Sequence, residues 1–466
     1  MMASIMFGGL VLFLLIGYPV AFSLSAVGLF FAWIAIAHGY FTMDLLQALP
    51  ERVFGIMSND LLLAIPFFTF MGAILERCGL AEDLLEGAGQ LFGPVRGGLA
   101  YAVILVGALL GAITGTVAAS VIAMGLLCLP IMIRYSYDQR LATGVIAASG
   151  TITQLIPPSL VLIVLGDQLG RSVGDMYAGA IGPSIIQVLL FCGYIFALSI
   201  FRPSAVPALP PEARTLRGWA LVWKCVWGMV PSLVLIFLVL GTILLGLATP
   251  TEGGAMGAVG AMGLAALNRR LTWSLLRQGM ATTMRITAMV VYILIGSSVF
   301  SLVFRGVDGD LWIDGMLTSL PGGAVGFLVV VNLFVFVLAF FLDFFEIAFI
   351  IIPLLGPVAQ KLSIDLIWFG VLLGANMQTS FMHPPFGFAL FYLRGVAPPS
   401  VKSSDIYWGA IPWVGLQLAL CAIIILWPGL VTDFLPRHVA GNPNAIEQEM
   451  PAPAPDEGAP AQIEIK

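Results

Sequence analysis

The chain has 466 residues, of which 60% are hydrophobic and 10% charged, with a mean hydropathy of +1.03, against about 25% charged in soluble domains. Such a composition excludes a soluble enzyme. The net charge of −5 divides into −4 from residues 441–466 and −1 from the rest, so no basic stripe exists to bind nucleic acid.

Taken in chain order, apolar runs fall near 4–38 (two helices split at Gly17-Tyr18-Pro19), 61–76, 99–133, 141–165, 179–200, 222–247, 252–268, 280–304, 324–342, 345–360, 364–393 and 406–430. A bilayer crossing needs about 20 residues, and glycine and proline inside such runs are tolerated in transmembrane helices. The pattern predicts an all-α polytopic membrane protein in which residues 1–440 form the membrane domain. The N-terminus is apolar from the start, without a basic stretch or a small-residue cleavage site, and reads as the first span rather than a removable signal. Residues 441–466, acidic and bearing a Pro-Ala-Pro-Ala-Pro run, read as a disordered tail. Five scattered cysteines offer no CxxC motif or Cys/His cluster, so neither a disulfide framework nor a zinc site is expected.

Charge sets the orientation. The loop 201–219 carries Arg202, Arg214 and Arg217, the loop near 269–277 carries Arg269, Arg270 and Arg277, and Arg134 and Arg140 share a third. The positive-inside rule places all three in the cytoplasm, with 166–178 and the acidic 305–314 on the opposite face.

An internal repeat is written in prolines. Pro130 precedes Pro157-Pro158 by 27 residues and Pro357 precedes Pro384-Pro385 by the same 27, so one offset of 227 aligns all three. It also sets Gly150-Thr151-Ile152-Thr153-Gln154 against Met377-Gln378-Thr379-Ser380-Phe381. Each half, roughly 61–200 and 280–430, then holds an apolar hairpin and a helix unwound at a polar stretch before Pro-Pro. Matched broken segments in two halves are the sequence pointer to a secondary transporter's binding site.

Several residues carry candidate chemistry. In Gly111-Ala112-Ile113-Thr114-Gly115-Thr116, the two glycines suit a small-xxx-small packing face. The threonines suit a hairpin tip whose carbonyls and hydroxyls, facing Gly150–Thr153, would take a hard cation such as sodium rather than a transition metal. Gln378, Thr379 and Ser380 place three polar side chains in an apolar run, and Pro384 frees a carbonyl one turn earlier. His383 is either a packed histidine or a proton-transfer group. Asp343 and Glu346 lie between two apolar stretches and, at i and i+3, would share one helical face. They are intramembrane functional charges or residues of an interfacial turn. Glu252 reads as part of a helix start with Thr249 or Thr251.

Taken together, AIPFFTFMGAILERCGL (64–80), GAITGTVAAS (111–120), GTITQLIPPS (150–159), ATPTEGGA (248–255), FLDFFEIAFIIIPLLGPV (341–358) and MQTSFMHPPFGFALFYLRGVAP (377–398) resemble the large membrane subunit of tripartite ATP-independent periplasmic (TRAP) transporters. The resemblance runs from about residue 5 to 430. It implies an inverted-repeat elevator transporter with two hairpins and two broken helices, a small four-helix membrane subunit as partner, a periplasmic substrate-binding protein that delivers an organic anion, and sodium as coupling ion with no other cofactor. It implies a first sodium site at Thr114, Gly115 and Thr116 against Gly150, Thr151 and Thr153, and a second at Asp343 with Gln378, Thr379 and Ser380. Pro157, Pro158, Glu346, His383, Pro384 and Pro385 then belong to the broken-helix or substrate region. The chain departs from the family pattern at Thr116, where many members carry Ser, and at His383. The last two motifs resemble the branch associated with monocarboxylates and 2-oxo acids.

A single-component carboxylate transporter, a channel and a membrane-embedded enzyme compete with this reading. An enzyme would need a nucleophile, base or metal constellation, yet the three histidines, His38, His383 and His438, are far apart in sequence. A channel pore is more naturally a ring from several subunits. No GxxxxGK[ST] loop for ATP is present. The basic candidates for meeting an anion, Arg134, Arg140, Arg171 and Arg394, all read as loop-borne.

Overall fold

Proline and glycine decide where the helices stop. The computed structural model describes residues 2–114, 116–214, 218–384 and 387–435. In it α1 (Met2–Ile16) and α2 (Val20–Ala37) part at Gly17, which takes φ +87°, and at Pro19, whose ring holds the position before α2 at φ −55°. The first half continues with α3 (Leu49–Met57), α4 (Ala64–Arg77), α5 (Leu80–Phe92), α6 (Gly98–Thr114) and α7 (Val117–Arg134). Next, α8 (Gln139–Thr151) gives way to a 3-10 turn at Ile152–Gln154, before α9 (Leu160–Leu169) and the 29-residue α10 (Val173–Phe201). Then come α11 (Trp219–Leu244), α12 (Pro250–Leu267) and the 34-residue α13 (Trp273–Gly306). The chain goes on through α14 (Gly309–Thr318), α15 (Gly323–Leu338), α16 (Phe344–Ile350) and α17 (Ile352–Lys361). It closes with α18 (Leu366–Met377), a 3-10 turn at Gln378–Phe381, α19 (Phe388–Val396), α20 (Ser403–Leu426) and α21 (Gly429–Thr432).

The apolar runs are helices, as the composition requires. Six helices of the described residues are long and apolar enough to cross a membrane alone, and up to nine spans result if each bent pair counts as one. The run 345–360 is such a pair: α16 and α17 bend by 53° where Pro353 opens the second helix. Helices α3, α5 and α14 are additions to the sequence reading. Each is 9 to 13 residues long and carries charge, so a window sized for a full crossing passes over it. The acidic tail expected at 441–466 lies outside the described residues.

The repeat fixes the register of both halves. A shift of 227 carries α7 onto 344–361, the span of α16 and α17 together, and α8 onto 366–378, against α18 at Leu366–Met377. It carries α9 onto 387–396, against α19 at Phe388–Val396, and even α5 lands within two residues of α14. The duplication is inverted. The Asp138 amide donates to the Ala205 carbonyl at 3.2 Å, setting the end of α10 beside the start of α8. Arg140 Nε meets Asp405 Oδ1 at 3.1 Å, which sets the start of α20 at that same end. Equivalent helices α10 and α20 therefore run in opposite directions, and the basic loops near 134–140 and 201–206 share one end of the molecule.

The halves interlock rather than stack. Helix α9 of the first half packs on α16 and α17 of the second, α19 packs on α7 and α8, α18 packs on α10, and α8 lies along α20. Small residues permit a close crossing of α8 and α20. A Cβ on Gly144 would lie 2.2 Å from the Gly409 carbonyl oxygen, and one on Gly409 would lie 2.2 Å from that of Arg140. Backbone contact of this kind supplies van der Waals packing where lipid offers no hydrophobic drive between helices.

Candidate functional site

Two chain reversals and two helix breaks converge on one cavity. The start of α6 lies beside the end of α7, since the Leu99 amide donates to Tyr137 Oη at 3.3 Å, so the pair forms a hairpin with the end of α6 at Thr114 and the start of α7 after Thr116 at its tip. Thr116 is extended there (φ −125°, ψ 129°) as the residue before α7, with no side-chain cap bond. Its repeat equivalent is Asp343, extended (φ −79°, ψ 176°) before α16. Thr116 and Asp343 both line a cavity of about 300 Å³.

The geometry at Asp343 corrects the expectation of a shared helical face. Asp343 stands outside the helix as its N-cap: Oδ1 accepts from the Glu346 amide at 2.9 Å, while Glu346 Oε2 accepts from the Asp343 amide at 2.9 Å. This is a capping box, which satisfies two otherwise orphaned amide donors. Thr249 and Glu252 build the same device at the start of α12, as their sequence suggests. The difference lies in what surrounds them, because the Thr249 box is exposed whereas Asp343 lines the cavity.

At the first break, close approach brings hairpin and unwound helix together. A Cβ on Gly111 would lie 2.8 Å from Thr153 Cα, and one on Gly150 would lie 2.2 Å from Val121 Cγ2. Gly111 is therefore a packing glycine, and that packing seats the α6–α7 tip against the Gly150–Thr153 stretch. Thr151 Oγ1 donates to the Ala148 carbonyl at 2.8 Å and accepts from Gln417 at 2.9 Å, which leaves one lone pair. Thr153 Oγ1 and both amide atoms of Gln154 are buried without a hydrogen-bond partner, and Gln154 lines the cavity. At the second break Thr379 and Ser380 hydroxyls likewise donate one turn back, to Asn376 and Met377 carbonyls at 2.8 and 2.7 Å. No hydrogen bond among the described residues joins Asp343 to Gln378, Thr379 or Ser380. Phe381, next in the chain, is the residue of that break lining the cavity beside Asp343.

Each break is instead pinned by an amide from the long helix of the other half. Gln187 of α10 and Gln378 exchange hydrogen bonds in both directions, at 2.5 and 3.2 Å, and both side chains are fully buried. Gln417 of α20 donates to Thr151 Oγ1 at 2.9 Å. Thr151 and Gln378 are equivalent under the offset of 227, so the two bonds are a pseudo-symmetric pair.

The remaining candidates sit around this arrangement. His383 stacks on Phe340 at 4.1 Å between centroids and meets Phe336 edge-on at 4.4 Å, the packing of an aromatic core histidine. Pro157 and Pro158, joined by a cis bond, occupy the segment between the 3-10 turn and α9, and Ser159 donates its hydroxyl to the Gln154 carbonyl. Pro384 lies in the matching segment, between the 3-10 turn at Gln378–Phe381 and α19. Thr114 closes α6, while Gly115 and Pro385 lie outside the described residues. Of the arginines expected in loops, only Arg171 lies between helices: Arg134 ends α7, Arg140 opens α8, where it is paired with Asp405, and Arg394 lies in the last turn of α19, where it donates to the Val401 carbonyl. The cation that lines the cavity, among the described residues, is Arg285, on α13. Sequence reasoning passed over it because it lies inside the run 280–304, although a single charge in an apolar span is itself the signal.

Comparison with known proteins gives one consistent result. The family profile for the "Tripartite ATP-independent periplasmic transporter, DctM component" matches residues 7–430. The "C4-dicarboxylate TRAP transporter large permease protein DctM" of Pseudomonas aeruginosa is 31% identical over 392 residues, covering 84% of this chain and 90% of its own. The "2,3-diketo-L-gulonate TRAP transporter large permease protein YiaN" of Escherichia coli is 26% identical over 412 residues, covering 87% and 95%. Among solved structures, the Alcanivorax borkumensis YdaH transporter superposes with a TM-score of 0.59 at 14% identity, covering 84% of this chain and 90% of that one. That last likeness is one of fold.

Proposed function

Because the chain belongs to the tripartite ATP-independent periplasmic transporters, as their DctM component, we propose that it takes up an organic carboxylate by coupling to sodium, through elevator movement of its hairpin and broken-helix core. It is a multi-pass protein of the bacterial inner membrane and a permease rather than an enzyme. The observation that carries the sodium reading is the convergence of both hairpin tips and the first break on one cavity, with Thr116, Asp343 and Gln154 in its wall. Irregular backbone at membrane depth is tolerated only where it is buried or lines a cavity, since an unpaired peptide group in hydrocarbon costs several kcal/mol. Carbonyls, hydroxyls and one carboxylate are the oxygen ligands that hard cations take. The first cation belongs at the α6–α7 tip with Gly150, Thr151 and Thr153. The second belongs at Asp343, with backbone oxygens of the Gln378–Ser380 turn.

The movement follows from the packing. Helices α6 to α9 and α15 to α19 interlock across the repeat and travel as one body, while α11 to α13 belong to the scaffold, of which α13 lies against α16, where Ser297 donates to the Phe349 carbonyl at 2.6 Å, and lends Arg285 to the cavity wall. A small membrane subunit covers that scaffold and a periplasmic binding protein supplies the anion. Proteoliposomes holding the large and small subunits, given the binding protein and a radiolabelled carboxylate, test the reading. Accumulation is expected under an inward sodium gradient without ATP and is expected to stop when the gradient is dissipated. Full-rate uptake under a proton gradient alone would contradict it.

A further inference from the structure

The two halves contribute equivalent residues to the cavity, so the places where equivalence fails report on the ligand. Gln154 and Phe381 correspond under the offset of 227, and both line it. One wall therefore presents an amide and the other a phenyl ring. The phenyl side continues as a run of rings, with Phe381 6.2 Å from both Phe344 and Phe388, and Phe388 6.4 Å from Tyr392. The lining also holds Arg285, which has no counterpart in the other half, because position 58 is a serine that does not line the cavity.

Two independent polar features of the lining call for a ligand. Arg285 lies 12 residues into α13, roughly 18 Å along its axis, and no ion pair or hydrogen bond joins it to another described residue. A guanidinium inside a span is costly and is retained where it meets a ligand or a partner. Gln154 is 2% exposed, and neither its amide nitrogen nor its oxygen has a partner, a state that buried amides rarely keep unless a ligand or water completes them.

Resting on the transport reading above, we propose that the cavity takes a monocarboxylate with an apolar body of about the size of a phenyl ring. Its carboxylate sits on the Arg285 fork, the adjoining polar atom sits on Gln154, and its body lies against Phe381 and Phe388. Arginine's planar donors match a carboxylate in a bidentate pair. The donor set selects one carboxylate rather than two: among the described residues the lining carries a single guanidinium, Arg285, beside the rings of Phe344, Phe381 and Phe388. A second carboxylate would find no guanidinium of its own and would lie desolvated against the rings. The volume of about 300 Å³ lies at the small end for ligand sites. On this assignment the substrate differs from the C4-dicarboxylate of the Pseudomonas relative's description.

Equilibrium binding of radiolabelled phenylpyruvate, succinate and pyruvate to the purified complex of large and small subunits, in sodium-containing buffer, tests this. Phenylpyruvate is expected to bind at least tenfold more tightly than succinate. Arg285→Gln is expected to weaken it by about 10- to 100-fold, the loss of a charge-assisted pair, with Arg285→Lys in between. Phe381→Ala is expected to weaken phenylpyruvate but not pyruvate. Arg285 is exposed in the isolated chain, so its replacement leaves the packed core intact, and gel filtration checks this. Succinate binding as tightly as phenylpyruvate, binding of neither, or an unchanged Arg285→Gln variant would overturn the proposal. Binding is read without a gradient. The expected ranking without sodium-driven uptake would thus reject the transport reading alone, whereas sodium-driven uptake with Arg285→Gln unimpaired would reject the present assignment alone.

Discussion

Replacing Asp343 by Asn is expected to cut sodium-driven uptake by about 100-fold, roughly 2.7 kcal/mol, since the proposed cation site loses its carboxylate, while the protein still folds. The substitution separates two roles that the geometry joins in one side chain. As the N-cap of α16, Asp343 accepts from the Glu346 amide, and asparagine caps a helix about as well as aspartate does. The carbonyl oxygen of the introduced side-chain amide can keep that bond. What disappears is the negative charge at the cavity wall, the one acidic group among the described lining residues able to compensate a bound cation. Initial uptake rates in proteoliposomes, with thermal unfolding of the same preparations, check the expectation. Wild-type rates with unchanged sodium dependence would reduce Asp343 to a helix cap.

The amide pair that holds the second break should show its worth in a double-mutant cycle. Gln187→Leu leaves the fully buried Gln378 amide without either bond, which is expected to cost about 1–3 kcal/mol of stability. Gln378→Leu strands Gln187 to a similar degree. The double variant Gln187→Leu/Gln378→Leu is expected to recover most of that loss, because no polar group is left unpaired. Its transport should not recover, since the turn that presents Thr379 and Ser380 is then no longer fixed to α10. Chemical or thermal unfolding of the purified complex supplies the coupling, which is the readout that isolates neighbours, and uptake supplies the contrast. Additive stability losses, or full transport in the double variant, would show that the pair merely fills space.

The repeat was legible because helix breaks within a membrane need residues that cannot continue a helix, and Pro130, Pro157-Pro158, Pro357 and Pro384-Pro385 record those places in the sequence. The helices were legible because crossing a bilayer requires length and apolarity, which α2, α10 and α13 display. Two equivalent elements, α5 and α14, escaped because an amphipathic helix of 13 or 10 residues satisfies neither requirement. The glutamine pins escaped for another reason. Gln187 and Gln417 are related by 230 rather than 227, so no single offset aligns them with the prolines, and a lone amide in a long span gives no hint of its partner. The capping box at Asp343 was hidden by an ambiguity of spacing, because i and i+3 describes both a shared helical face and a cap with its third residue. Arg285 was available to the sequence but overlooked in favour of arginines that read as loop-borne, of which Arg140 and Arg394 lie at helix ends and are engaged elsewhere.

Binding of radiolabelled sodium to the purified complex of large and small subunits tests most directly the claim that the two matched halves each hold a cation beside one anion cavity. The account predicts two ions bound per complex. Asp343→Asn should lose the one in the second half and retain the one at the α6–α7 tip. No measurable bound sodium at saturating concentration, or loss of all bound sodium in that single variant, would contradict it.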